Sequence, residues 1–351
     1  MNVVVTYNLK PESDTSYKEL SPVQTNNVTQ TEYAIDTFAE WDTWETINAL
    51  REAIEVYHDV IMINANENAF EKFKKAKPDI VFNIAEGINC LSRESQIPAM
   101  LDMLQIPFTG SDALTLGICL DKSRTKEILS YHKIPTPKFF VVDNYNIPIN
   151  HSFNFPLIVK PKSEGSSRGI FSSSLVRHND ELLTEIKRVI DEYDQPALIE
   201  EYLPGREFTV SVIGNDSETK VLPLVEIRYD KFPEDVEHLY SYEAKWILDT
   251  KESDFDVFEC PASLVEELKE NIEEIVLQTF KVLDCKDWSR IDVRLDKDGI
   301  PNIIEINPLP GIMPDPNENS SFPKAARVAG IDYNQMIQSV LYAACKRHNL
   351  L

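Results

Sequence analysis

The segment that most constrains the fold runs from Arg290-Ile291-Asp292-Val293-Arg294-Leu295 through Asp296-Lys297-Asp298-Gly299 to Asn302-Ile303-Ile304-Glu305-Ile306-Asn307. An Asp-Gly turn between two alternating runs is a strong β-hairpin signal. Side chains two apart on a strand share a face, so Arg290 and Asp292 point the same way, as do Glu305 and Asn307 on the partner strand. Ile291, Val293, Ile304 and Ile306 are expected to fill the opposite, apolar face. Four polar groups thus gather at one end of a two-stranded platform. Carboxylate and amide oxygens are the donors that Mg²⁺ prefers, with phosphate oxygens completing its octahedron. The competing reading is a solvated outer face carrying surface ion pairs.

A length of 351 residues gives room for two or three domains. The chain carries 58 acidic against 35 basic residues, a formal net charge of −23. Such a surface repels phosphate backbones at long range, so nucleic acid is not an expected partner; a nucleotide pocket needs only a few local cations. No apolar run approaches the roughly 18–20 residues that cross a bilayer, and the N-terminus lacks a basic leader region. No membrane contact is expected, and the cytoplasm is the expected location. The five cysteines are scattered without a CxxC, and the histidines form no HxH or HxxxH pair, so neither zinc nor a disulfide framework is expected.

The chain divides into three units, with boundaries expected at 1–110, 111–203 and 204–351. In the first, Val3-Val4-Val5 suits a buried parallel strand, and 60–63 and 80–84 read as two more. Asp42 or Thr43 can cap a helix in which Trp44, Ile47, Leu50, Ile54 and Tyr57 recur at helical spacing. The polar stretch 8–40 is either a flexible insertion or an arm covering substrate. In the second unit, helices are expected at 122–131 and from an Asn179 cap to about Tyr193, with strands at 157–160 and 198–202. In the third, strands at 208–213 and 221–227 precede a helix whose stripe runs from Leu264 to Leu283; the stretch after Phe322 is mostly helical.

Two further segments carry chemistry. Lys160-Pro161-Lys162-Ser163-Glu164-Gly165-Ser166-Ser167-Arg168-Gly169 follows a strand with small residues, which let backbone N–H groups approach phosphate oxygens. It lacks the Gly-Lys-Ser/Thr ending of a Walker A loop, and a plain surface loop is the alternative. Leu198-Ile199-Glu200-Glu201-Tyr202-Leu203 runs into Pro204-Gly205-Arg206-Glu207, like a hinge between domains. Backbone there can read an adenine edge, and Glu207 can take ribose hydroxyls. An acidic edge strand is the alternative.

Taken in order, Lys160-Pro161, Glu164-Gly165-Ser166-Ser167, Gly169, Glu200, Glu207-Phe208-Thr209-Val210, Tyr242-Glu243-Ala244-Lys245, Arg290-Ile291-Asp292-Val293 and Glu305-Ile306-Asn307 resemble the D-alanine–D-alanine ligase family of the ATP-grasp superfamily. Pro107-Phe108-Thr109-Gly110-Ser111 and Asp121-Lys122 fit the same series, and coverage runs from about Pro78 to the C-terminus. The resemblance implies an α/β chain with a three-domain ATP-grasp fold and an N-terminal Rossmann-like parallel sheet. It implies an ATP-dependent ligase that joins amino-acid-like small molecules through an acyl phosphate. Lys122 and Lys160 would contact ATP phosphates, and Lys245 the γ-phosphate. Glu200, Tyr202 and Leu203 would line the adenine site, Glu207 the ribose, and Glu164 and Ile304 would complete the nucleotide pocket. Ser166 and Ser167 would sit in a mobile loop over the phosphates. Asp292, Glu305 and Asn307 would bind two Mg²⁺ ions, with Mn²⁺ as a substitute. Arg290 would stabilise the oxyanion of a tetrahedral intermediate. A homodimer is left open.

The chain departs from the family at its N-terminal end. A Gly-Gly loop and Ser…Glu pair are replaced by Asn8-Leu9-Lys10-Pro11-Glu12-Ser13, with Glu12 or Glu19 as candidate substitutes. Trp246 stands where a tyrosine is usual, and Glu86 where a histidine is usual, while Glu94 keeps an acidic position. On the acceptor side Gly311 is family-like, the segment 312–321 is longer, and Ser320 or Ser321 would bind the acceptor carboxylate. These departures favour a ligase for other substrates over strict D-alanyl-D-alanine synthesis. From another class, a nucleotide-binding regulatory protein without catalysis is opposed by the retained Lys122, Lys160, Lys245, Arg290, Asp292, Glu305 and Asn307.

Overall fold

A computed structural model describes residues 1–11, 36–87, 90–147, 149, 151–233, 236–249, 256–318 and 320–351. Glu12, Ser13 and Glu19 lie outside the described residues.

The N-terminal unit is a parallel sheet. Strand β1 (Asn2–Tyr7) is followed by helix α1 (Trp44–Glu55), β2 (Asp59–Asn64), α2 (Ala69–Ala76), β3 (Ile80–Asn83) and α3 (Gln96–Leu104). The strand order is β2-β1-β3, with Val3 opposite both Val60 and Ile80. Val3, Val4 and Val5 are fully buried because the central strand is covered on both faces. Thr43 caps α1, its hydroxyl accepting from the Thr46 amide. The chain leaves the carboxyl ends of β1 and β3 into the loops that carry Lys10 and Glu86. Ligands of open parallel sheets bind at that edge.

Two short helices follow, α4 (Ala113–Leu120) and α5 (Lys122–Tyr131). Asp121 separates them and caps α5 by accepting from the Ser123 and Arg124 amides. That cap fixes Lys122 in the first turn. Cys119, Leu129 and Ile134 pack into the core of the C-terminal sheet.

The central sheet is antiparallel. It comprises β4 (Phe139–Val142), β5 (Leu157–Pro161), β6 (Leu175–Val176) and β7 (Ala197–Glu201) in the order β4-β7-β5-β6. Helix α6 (Asn179–Tyr193) covers it with Leu182, Ile186 and Val189. Its cap is His178, not Asn179: the imidazole accepts from the Glu181 amide, which moves the helix start one residue toward the N-terminus.

The C-terminal sheet holds β8 (Glu207–Ile213), β9 (Lys220–Val221), β10 (Val225–Ile227), β11 (Phe258–Glu259), β12 (Trp288–Leu295) and β13 (Pro301–Asn307). Their order is β11-β10-β8-β12-β13, with β9 beside β8. The expected strand at 221–227 is thus two short strands on the two ends of β8. Helix α7 (Glu266–Val282) covers one face through Ile272, Val276 and Phe280. Each such buried side chain contributes about 1.5–3 kcal/mol. Two last helices, α8 (Ser321–Val328) and α9 (Tyr333–Arg347), share a core with α1, where Met336, Ile337 and Val340 meet Ile47, Leu50 and Ile54.

The hairpin β12–β13 forms as expected, with one correction. Arg290 pairs with Asn307 and Asp292 with Glu305, but Val293 pairs with Ile303, so the register shifts after Asp292. One extra residue on β13 makes a bulge. Ile303, fully buried, takes the core position expected of Ile304, and Ile304 turns into the cleft beside Glu305.

Candidate active site

A cleft of ≈ 240 Å³ lies where the three sheets meet. Of the residues singled out above, it is lined by Glu86, Glu94, Lys122, Lys160, Glu164, Ser166, Ser167, Glu200, Leu203, Glu207, Lys245, Arg290, Asp292, Ile304, Glu305, Asn307, Gly311, Ser320 and Ser321. Tyr202 is the exception. Its hydroxyl accepts from Arg294 at 2.9 Å and donates to the His238 carbonyl at 3.0 Å, which keeps the ring out of the cleft lining.

The hairpin end is a charged cluster held by its own ion pairs. Arg290 donates to both oxygens of Asp292, at 3.1 and 3.0 Å. Asn307 Nδ2 lies 3.4 Å from Asp292 Oδ2, leaving the amide oxygen of Asn307 free of that contact. Lys122 Nζ sits 3.0 Å from Glu305 Oε1 and also donates to the Glu164 carbonyl. Burial opposes charge on Glu305, but Lys122, Lys160 and Arg290 outweigh it and hold its carboxyl at about 2. Two carboxylates and an amide oxygen are hard donors of the kind a divalent cation takes. The donor set therefore fits a divalent cation, which would screen phosphate charge when bound.

The half of the cleft expected to take nucleotide is built from the central sheet. Lys160, next to last in β5, pairs with Glu200 at 2.9 Å, while Lys126, one turn after Lys122, pairs with the other Glu200 oxygen at 3.0 Å. Burial, reinforced by the Lys160 and Lys122 charges, pushes Lys126 down to about 8 despite Glu200. Ile158, Leu203, Leu239 and Ile304 give an apolar wall. Glu207 receives both Tyr229 and Arg294 on Oε2, each at 2.8 Å. Arg294 shares a strand face with Arg290 and Asp292, so the two-residue rule was a signal that could have found it.

Lys245 comes from the segment after Tyr242, where its ammonium lies 5.1 Å from the centre of the Trp246 ring. Burial and the neighbouring Arg290 lower it to about 8. The Trp246 indole donates to the Ser166 carbonyl at 3.2 Å, so the residue that departs from the family still touches the glycine–serine loop. Among the residues expected to receive the acceptor, Ser320 donates to the Gly311 carbonyl at 3.1 Å and Ser321 lies 3.4 Å from the Thr209 hydroxyl.

The far end of the cleft carries residues that sequence reasoning missed. Glu40, Asp42 and Lys10 line it with Glu86 and Glu94, and one oxygen each of Glu40, Glu86 and Glu94 lie within 4.8 Å of one another. Burial raises Glu94 to about 8, with Glu40 adding to the effect. Burial, Glu94 and Glu40 push Glu86 well above the usual carboxylate range. Burial alone raises Asp42 to about 7. Glu40 and Asp42 fall where the polar stretch meets the α1 cap, with no periodic pattern to mark them.

The family model described as D-ala D-ala ligase C-terminus matches residues 128–342, more than half of the chain. An uncharacterized protein of Sinorhizobium fredii, y4sG, is 32% identical over 302 residues, covering 84% of this chain and 85% of that protein. The D-alanine–D-alanine ligase A of Bacillus cereus is 32% identical over 295 residues, covering 83% of this chain and 89% of the relative. A crystal structure of D-alanine–D-alanine ligase from Bacillus anthracis superposes with a TM-score of 0.71 at 25% identity, over 100% of this chain and 99% of that one. With these matches spread across a cleft that keeps its cations, carboxylates and loop, the chain belongs to the D-alanine–D-alanine ligase family and is an ATP-dependent, ADP-forming carboxylate–amine ligase.

Proposed function

We propose that this ligase joins amino-acid-like substrates other than two D-alanines. The observation that carries this reading is the far end of the cleft, where Glu40, Asp42, Glu86 and Glu94 gather beside Lys10 and Trp246. The family's Gly-Gly loop and Ser…Glu pair are absent there. Carboxylates of this density suit a substrate bearing an amine, with chirality and side chain open.

In the proposed reaction a substrate carboxylate attacks the γ-phosphate of ATP, giving an acyl phosphate and ADP, and an amine then displaces phosphate. Lys122, Lys160 and Lys245 would hold the phosphates. Glu207 would offer Oε1 to a ribose hydroxyl, since Tyr229 and Arg294 both occupy Oε2. Backbone at 201–203 would read the adenine edge. Asp292, Glu305 and Asn307 would hold two Mg²⁺ ions, which supply charge neutralisation. Arg290 would stabilise the oxyanion formed as the amine adds. Gly311, Ser320 and Ser321 would receive the acceptor. The units 1–110, 111–203 and 204–351 serve as the substrate, lid and catalytic domains in this reading. No helix among the described residues is long and apolar enough to cross a membrane. The cytoplasm is the proposed location, and a homodimer, left open by the sequence, is to be checked by light scattering.

The test is an ADP- and phosphate-release screen against D- and L-amino acids, singly and in pairs. A pair other than D-Ala with D-Ala should turn over best. Efficient D-alanyl-D-alanine formation with no better pair would establish the relatives' activity for this chain instead.

A further inference from the structure

Two carboxylates from the N-terminal segment grip the glycine–serine loop: Asp36, which has no part in the chemistry assigned above, and Glu40, which also lines the far end of the cleft. Asp36 Oδ2 accepts from the Gly169 amide at 2.8 Å and from the Tyr193 hydroxyl at 2.7 Å. Four residues on, Glu40 Oε1 accepts from the Gly165 amide at 2.7 Å. The turn 36–40 therefore holds the loop at both of its glycines. The approach is close: a Cβ at 165 would lie 2.6 Å from Glu40 Oε1, so any larger residue there would push the Glu40 carboxylate away.

Glu40 is itself locked in place. Arg93 donates to its two oxygens, from Nε at 3.1 Å and from a terminal nitrogen at 2.7 and 2.5 Å. The same guanidinium donates to the Ser163 carbonyl at 3.0 Å and lies 3.1 Å from Glu164. Arg168 pairs with Glu164 at 2.5 Å and stands 3.7 Å from Glu40. Two arginines and two glutamates thus interlock the arm, the residue-93 turn and the loop. Burial opposes charge on Glu40, but Arg93 and Arg168 outweigh it and keep the carboxylate ionised. With side chains 5% and 8% exposed, the Glu40–Arg93 pair is poorly screened by solvent.

What the grip presents is the stretch between the glycines. Ser166 and Ser167 both have positive φ, 51° and 61°. Among the described residues neither amide has a protein acceptor. Amides in such a turn form a concave site for anionic oxygen. The loop's other side is held by Trp246 on the Ser166 carbonyl and by the Ser167 hydroxyl, which donates to the Tyr240 carbonyl at 2.9 Å.

We propose that Asp36 and Glu40 are positioning residues that keep the 163–170 loop closed over the reacting phosphate, so that the activated carboxylate meets the amine rather than water. The consequence for turnover rests on the ligase reading above. In the failed event, water takes the place of the amine: the acyl phosphate returns the free carboxylate and releases phosphate, ATP is spent, and no amide forms.

Two measurements on the full-length protein test this. Hydrogen–deuterium exchange of the 163–170 amides should speed up by about 10- to 100-fold in Glu40→Ala and Asp36→Ala, the range expected for losing a charged hydrogen bond, with strand 2–7 unchanged. With ATP, Mg²⁺ and the best pair from the screen, both variants should release at least ~10-fold more phosphate per amide formed, because water reaches the intermediate. The KM for ATP should move less than ~3-fold, since ground-state nucleotide contacts are intact. Asp36→Asn keeps an oxygen acceptor for the Gly169 amide and should stay close to wild type in both readouts. Unchanged loop exchange overturns the grip. A lower kcat with an unchanged phosphate-to-amide ratio overturns its role in excluding water. Absence of wild-type turnover with every pair would refute the ligase reading alone, since the exchange measurement still judges the grip.

Discussion

Arg290 and Asp292 form a two-point pair along one strand, with Nε and a terminal nitrogen of the guanidinium meeting the two carboxylate oxygens at 3.1 and 3.0 Å. The pair exists because β12 alternates and residues 290 and 292 share its cleft face. A planar fork fits a carboxylate in this way, and lysine has no such fork.

Arg290→Lys should therefore keep a charge but lose its aim. We expect kcat to fall by at least ~10²-fold, the loss typical of one oxyanion donor. ATP affinity should change much less, because ground-state binding does not depend on that geometry. Steady-state kinetics beside a nucleotide titration check this. Lost ATP binding with kcat kept at saturation would assign Arg290 to the ground-state phosphate site.

Metal dependence is the second expectation. Chelation of divalent ions should abolish turnover, and Glu305→Gln or Asn307→Ala should each cost at least ~100-fold in rate. The two variants check each other, since Glu305→Gln also removes the partner of Lys122 whereas Asn307→Ala leaves that pair intact. Near-wild-type rates in both would take the hairpin out of the active site.

The third expectation is an alkaline limb set by Lys245. Burial and Arg290 lower it to about 8, so it is mostly cationic below that pH and neutral above it. A phosphate-holding lysine must be cationic, so kcat/KM for ATP should fall as pH rises through about 8. Arginine stays protonated throughout this range. Lys245→Arg should therefore flatten the limb whatever its effect on absolute rate, and a limb unchanged in that variant would assign it to another group such as Lys126.

What could be read from the sequence was local. The hairpin, the Thr43 cap and the buried Val3-Val4-Val5 strand each follow from a pattern a few residues long, and each formed. The bulge after Asp292 left one trace, the adjacent Ile303-Ile304 that interrupts the alternation of Asn302–Asn307, but a regular strand reading put Ile304 in the core where the extra residue turns it into the cleft. Glu40, Arg93 and Arg168 were out of reach for a different reason. Their partnership spans 53 and 128 residues and depends on how the arm crosses the central loop, which no periodicity encodes. Lys126 was closer to hand, since it lies one helical turn beyond Lys122 on the face already expected to meet phosphate.

The last prediction concerns the joint beneath the cleft, where Asp287 is fully buried. One of its oxygens accepts from the Gly110 amide at 2.8 Å and from Arg347 at 2.7 Å; the other accepts from Asn215 at 2.7 Å and from Arg347 Nε at 3.1 Å. Arg347 in turn donates to the Phe108 and Gly110 carbonyls, at 3.0 and 3.1 Å. A single carboxylate therefore ties the end of the N-terminal unit to β8's following turn and to the last helix. Asp287→Ala removes the negative member and leaves a guanidinium and two donors without their acceptor. Breaking a buried pair from one side costs about 3–5 kcal/mol. The thermal midpoint followed by circular dichroism should drop clearly, and Arg347→Ala combined with Asp287→Ala should cost less than the sum of the two single changes. Additive losses would mean that the two residues act separately and that the joint is held by something else.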